Sequence, residues 1–263
     1  MYFSLQSLNM RIIFLTTIQV ILYLSSTAAY SDDAAGALES ASSKGAYIGG
    51  AISKDTGYYN FNRRDVIPPL SFIDQDISVL NGTGAGGEIY VGYRLPMSNR
   101  FTVAIEGFYD RSNHRAKFNL LDTNSAYSRQ LVGSFQQKRL SGLVVRSGFY
   151  VNPKSVLYGR AGYIVSQVTL NGNISQSGQP PFGIIAGSLN RPVNSDGVQL
   201  GLGIEIEVIS RLNLRFEWDW NRVENYVFNN VIRDSQGNRF MVYRTASHPT
   251  LEQVKLGLNW LFA

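Results

Sequence analysis

The chain contains no cysteine. It therefore carries no disulfide, no thiolate metal site and no cysteine nucleophile. Histidine is almost as scarce, at two residues, and only 16% of the 263 residues are charged, against about 25% in ordinary soluble domains. No apolar run of about 18 residues follows the N-terminus, and mean hydropathy is -0.09, which excludes a helical membrane protein. What the chain does have is glycine (25 residues) and aromatics (15 Tyr, 14 Phe, 3 Trp). High aromatic and glycine content with modest hydropathy fits a transmembrane β-barrel, whose sequence is half polar by construction.

Residues 198–220, VQLGLGIEIEVISRLNLRFEWDW, alternate with a period of two. Val198, Leu200, Leu202, Ile204, Ile206 and Val208 share one register, and Gln199, Gly201, Gly203, Glu205 and Glu207 the other. After a turn at Ser210-Arg211, Leu212, Leu214, Phe216, Trp218 and Trp220 interleave with Asn213, Arg215, Glu217 and Asp219. Successive side chains of a strand point to opposite faces, so this is a hairpin with one apolar face and one of glycine and charge. Each arm is about twice the usual 5–6 residues and matches the ~9–11 residues of a tilted bilayer crossing.

The same pattern, less regular in the first segment, recurs over residues 45–53, 87–95, 101–110, 139–151, 156–170 and 251–262. With the hairpin these predict an all-β, eight-stranded antiparallel transmembrane barrel in an up-and-down meander. Connections alternate: 96–99, 152–154 and 210–211 are short, whereas 54–86, 111–138, 171–197 and 222–250 are long. Short periplasmic turns opposite four long extracellular loops are the asymmetry of outer-membrane barrels. Ahead of them, Arg11, the apolar stretch 12–24 and small residues ending at Ala29 read as a cleaved signal peptide over residues 1–29. Residues 30–44 read as a flexible periplasmic lead-in, and 45–263 as the barrel.

An eight-stranded barrel is just wide enough to be filled by its own side chains. The polar register supplies Glu88, Arg94, Glu106, Asp110, Arg146, Arg160, Glu205, Glu207, Arg215, Glu217, Asp219 and Lys255, with glycines between. Unpaired buried charge is costly, so these side chains predict an ion-pair network in the lumen. Phe101, Tyr109, Phe149, Trp218, Trp220, Trp260 and Phe262 sit toward strand ends and predict the aromatic girdles of a membrane barrel. A soluble barrel with the apolar face inside is the rival. Glycine on a solvent face and strands of this length argue against it.

The GAYIGGAIS, GGEIYVGYRL and terminal VKLGLNWLF segments, behind a signal peptide, resemble the OmpA-like and opacity-type (Opa) small outer-membrane surface proteins of Gram-negative bacteria. The resemblance spans about residues 45–263 and implies an outer-membrane location. It also implies recognition of the last strand by the barrel-assembly machinery through a terminal aromatic, matched here by Phe262 with Ala263 after it.

Enzymatic readings find little to stand on. His114 lies among Arg111, Arg115 and Lys117, and His248 beside Ser247. A lipid A-modifying enzyme would bring His, Ser and an acid together, but Ser247 and His248 fall on opposite faces of a strand. The glycine-rich stretch 82–87 lacks the preceding strand and following helix of a nucleotide loop. No cofactor or metal ligand set is expected. Loop charge is more informative. Arg111, Arg115, Lys117, Arg129, Arg233, Arg239 and Arg244 outnumber the loop acids and suit polyanions, either lipopolysaccharide phosphates or a host surface ligand. The sequence therefore predicts a non-enzymatic outer-membrane protein for envelope structure and surface interaction, with adhesion through its basic, aromatic loops. A narrow porin and a lipid A-modifying enzyme are the alternatives, and nucleic acid is not an expected partner.

Overall fold

The computed structural model describes residues 44–67, 72–98, 100–123, 127–178, 185–224, 226–233 and 239–262. The signal peptide and most of the lead-in lie outside them. The strands are β1 (Gly45–Ile67), β2 (Phe72–Pro96), β3 (Phe101–Ser112), β4 (Arg115–Thr123), β5 (Tyr127–Asn152), β6 (Ser155–Gly178), β7 (Ile185–Ile209), β8 (Leu212–Val223), β9 (Tyr226–Arg233) and β10 (Arg239–Phe262). β1 pairs with both β2 and β10, so the sheet closes on itself. β4 continues β3 between β2 and β5, and β9 continues β8 beside β10. The wall thus has eight positions, antiparallel and in chain order.

β1, β2, β5, β6, β7 and β10 run for 23–26 residues, far beyond the ~9–11 of a crossing. The four segments expected as long outer loops are therefore corrected: over most of their described length they are strand. The cause is an inversion of polarity. In the belt near the short turns, apolar side chains such as Val91, Ile105, Val145, Leu200 and Leu258 are exposed, while Glu106, Arg146 and Arg215 are buried inside. Farther out, Tyr59, Phe118, Leu131, Phe135, Val168 and Tyr226 are buried inside, and Arg111, Arg115 and Lys117 are exposed outside. The belt faces lipid and the extension faces water, so each half hides whichever face its solvent rejects. Alternation in the extension has the sense of a soluble strand, and a reading tuned to lipid-facing runs passes over it.

On β5 the two halves meet at a bulge. Gln137 pairs with Val168 and Arg139 with Gln167, leaving Lys138 unopposed. Below it Leu140, Val144 and Arg146 point inward; above it Gln137, Phe135 and Leu131 do. At the inner end, the Lys154 N–H donates to Asn152 Oδ1 at 2.9 Å, an Asx turn before β6. Arg211, with φ 72°, turns the chain between β7 and β8.

Candidate functional site: a charged lumen beneath a basic outer face

Strand alternation delivers six wall positions of charge to one interior. Glu106 on β3 accepts from Arg215 Nη1 at 2.7 Å and Nη2 at 3.0 Å, and from Tyr47 Oη at 3.0 Å. Arg146 and Arg160 approach the same carboxylate at 3.4 Å each. Glu217 on β8 takes Arg160 at 3.0 Å, Arg215 at 2.5 Å and Tyr158 Oη at 2.8 Å. Glu205 on β7 bridges Arg94 and, at 2.9 Å, Arg146. The Arg146 guanidinium lies 3.8 Å over the Tyr158 ring, and that of Arg215 lies 4.2 Å over Tyr90. These distances suit charge-assisted bonds and cation–π contact, the two ways a desolvated arginine is compensated.

Glycines make room for the rings. Gly49, Gly92 and Gly203 are the cross-strand partners of Tyr90, Tyr47 and Tyr158, and a Cβ on any of the three would enter the facing ring. Tyr90 and Tyr158 stand on the polar register of their strands, and their pairing with glycine follows from the cross-strand register, which alternation along one strand does not give.

Toward the outer end the composition changes. Lys255 Nζ holds Glu88 at 2.5 Å and Asp219 at 2.8 Å. Gln253 Nε2 donates to Asp55 and to Asp110, at 3.0 Å each. Ser112 Oγ donates to Asp55 and accepts the His114 N–H at 3.0 Å. Above that, aromatic rings stack: His114 on Tyr59 with centroids 5.6 Å apart, and Tyr59 on Phe135 at 5.4 Å. Tyr59 Oη lies 3.1 Å from His114 Nδ1, and a Cβ at Gly57 would come within 2.6 Å of the imidazole. Burial pulls the His114 imidazole below its ordinary value, only partly offset by the backbone at Gly82 and the Asp55 carboxylate. His114, expected in a loop among Arg111, Arg115 and Lys117, is thus a buried ring bonded to a tyrosine.

The expected lumen residues Glu88, Arg94, Glu106, Arg146, Arg160, Glu205, Arg215, Glu217, Asp219 and Lys255 are all buried and all enter ion pairs. Glu207 does not join them. It is half-buried at the inner end, where its N–H donates to Lys154 O at 2.8 Å. Asp55 and Ser112 belong to the interior but fell in stretches read as loop. Of the expected girdle, Phe101, Trp260 and Phe262 are exposed near the inner rim and Tyr109 near the outer. Phe149 packs edge-on against Phe101 at 5.2 Å, and Trp218 and Trp220 are half-buried on the outer part of β8. Among the described residues, no three His, Asp or Glu side chains converge as a metal centre.

The expected basic residues Arg111, Arg115 and Lys117 are exposed on one flank of the extension, joined by Lys138 and Arg139. Arg111 and Arg139 stand directly opposite across β3 and β5. The side chains of Arg129, Arg233, Arg239 and Arg244, and that of His248, lie outside the described set.

No curated protein matches the chain. Among solved structures it is similar to Ail, the attachment invasion locus protein of Yersinia pestis, in a complex with the heparin analogue sucrose octasulfate. That pair shares 12% identity over 81% of this chain and 99% of the other, with a TM-score of 0.34. Neisserial surface protein A shares 13% identity over 81% and 97%, with a TM-score of 0.35. The outer membrane protease OmpT from Escherichia coli shares 13% over 82% and 97%, with a TM-score of 0.33. Scores this low say nothing of ligand or chemistry. The sequence profile of the outer membrane protein β-barrel domain, by contrast, matches residues 22–238. A closed eight-position wall with an apolar belt and that match have one meaning: the chain belongs to the outer membrane protein β-barrel family and resides in the outer membrane.

Proposed function

We propose that this is a non-enzymatic surface-interaction barrel whose outer extension binds polyanions, with lipopolysaccharide phosphates as the first partner. The basic flank carries the proposal. Arg111 and Arg139 are a like-charged cross-strand pair, an arrangement that costs stability unless an anion joins it. Arg115 and Lys117 continue the flank along β4 and Lys138 along β5. The residues of β2 that pair with this flank, Thr83 and Gly87, bring no charge. By contrast Asp196, Arg222 and Glu224 mix signs on the β7–β8 side. The flank begins next to Tyr109 at the rim of the apolar belt, the level of lipid phosphate groups.

Lipopolysaccharide and heparin binding by the purified barrel, measured against salt, tests the reading. Arg111→Glu with Arg139→Glu should weaken binding at least tenfold and flatten its salt dependence. Unchanged binding by the folded double variant overturns it.

A further inference from the structure

The buried acidic and basic side chains of the lumen are unequal in number. Among the described inward side chains the acids are Asp55, Glu88, Glu106, Asp110, Glu205, Glu217 and Asp219; the bases are Arg94, Arg146, Arg160, Arg215 and Lys255. Acids exceed bases by two. Glu252 is buried as well, but on the outward register opposite Trp220. The excess is also unevenly placed. The inner layer sets Glu106, Glu205 and Glu217 against four arginines. The outer layer sets Asp55, Glu88, Asp110 and Asp219 around Lys255, which already holds Glu88 and Asp219. Glu88 and Asp110 are moreover direct partners across β2 and β3, where like charges repel. Asp55 and Asp110 are fully buried, and neither enters a described ion pair.

We propose that Asp55 and Asp110 bind a divalent cation at the outer end of the lumen, and that Ca²⁺ is the ion that fits. The two carboxylates already converge on one atom, Gln253 Nε2, at 3.0 Å each. Ser53 Oγ lies 2.8 Å from Asp55 Oδ1, and Ser112 Oγ bonds the other oxygen of Asp55. The ring of oxygens is open on one side: Asp110 Oδ1 is buried without a partner. A methyl group built at Gly86 would lie 2.6 Å from Ser53 Oγ and 3.2 Å from Asp110 Oδ1, so the glycine keeps a side chain away from the serine and the unpartnered oxygen.

Ca²⁺ accepts such a mixed set of carboxylate, amide and other oxygens, about six to eight of them, in flexible geometry. A half-turn of the Gln253 amide would present Oε1 to the ring. Asn221, whose Nδ2 donates to Gln253 Oε1 and whose Oδ1 is buried without a partner, would turn with it so that Oδ1 accepts from Nε2. An amide oxygen aimed at two carboxylates is favourable only with a cation between them. The two charges of the ion would also match the two carboxyl groups in excess.

The site is shut in on all sides, so the ion enters as the barrel closes and exchanges slowly afterwards. The test is therefore refolding of the full chain into detergent with CaCl₂ or with EDTA. Retained Ca²⁺ is measured after desalting, together with the melting temperature. Wild type should keep about one Ca²⁺ per chain and melt several degrees higher than in EDTA. Asp110→Asn and Asp55→Asn should fold in EDTA at least as well as wild type, retain no ion and lose the Ca²⁺ dependence of melting. Wild type that keeps no Ca²⁺ overturns the site, and so does equal retention by the folded Asp110→Asn variant. Stabilisation of Ca²⁺-free wild type by mild acid, with no retention, also overturns it, by showing that protons do the neutralising.

Discussion

Tyr158 cannot move aside. Its hydroxyl donates to Glu217 at 2.8 Å and accepts from Arg215 Nε at 3.0 Å, and its ring carries Arg146. A methyl at Gly203 would run into that ring. Gly203→Ala should therefore cost about 1–3 kcal/mol by overpacking, seen as a lower urea midpoint for loss of the folded, heat-modifiable gel band. Glu106 poses the opposite problem, since three arginines converge on it. Glu106→Gln keeps the volume but strands buried positive charge. We expect a loss of roughly 3–5 kcal/mol in the same assay, more than a neutral cavity of that size would cause. A Glu106→Gln barrel as stable as wild type would show that the network adds no stability. Glu205, Arg215, Glu217 and Asp219 were legible because residues 198–220 alternate on both sides of the turn at Ser210-Arg211. Asp55 was not, because it stands where the alternation changes sense, three residues past the exposed Ile52.

The bulge on β5 explains why one element was half read. Sequence parity slips by one at Lys138, so the inward residues pass from even numbers to odd. In space the inward face is continuous. Deleting Lys138 should then leave a regular ladder and a folded barrel, whereas deleting Val144 flips one half of the strand and should abolish folding. Recovery of the heat-modifiable band for each deletion decides it; the reverse result would remove the bulge from the account. The aromatic stack above the acids makes a second prediction. His114 is held below its ordinary value in the folded state, so the unfolded chain binds its proton more readily. Its contribution is complete above about pH 6.5 and falls away as pH drops toward the lowered folded value. Trypsin cleavage of the outer hairpins of the wild type, normalised at each pH to its cleavage of a small peptide substrate, should be faster at pH 5 than at pH 7.5. His114→Phe should show a smaller difference, and an unchanged difference would rule the imidazole out.

For the molecule as a whole, inward side chains reach across the barrel: the ion-pair layers lie in the belt, and rings from β1, the β3–β4 link and β5 stack above. We expect no large, stable single-channel conductance in planar bilayers, and such a conductance would require the interior to open. The closed wall and its location in the outer membrane were legible from periodicity and composition. The height of the wall was not, because the outer hairpins obey the polarity of a soluble protein. The seam between β1 and β10 runs without a register shift from Ala46 opposite Phe262 to Val66 opposite Val242. A ring so joined offers no terminal strand to fray, and water has no edge from which to peel it. Escape from the native state must rupture one long ladder nearly at once, so the lifetime of this protein in the membrane is governed by its unfolding rate more than by its equilibrium stability.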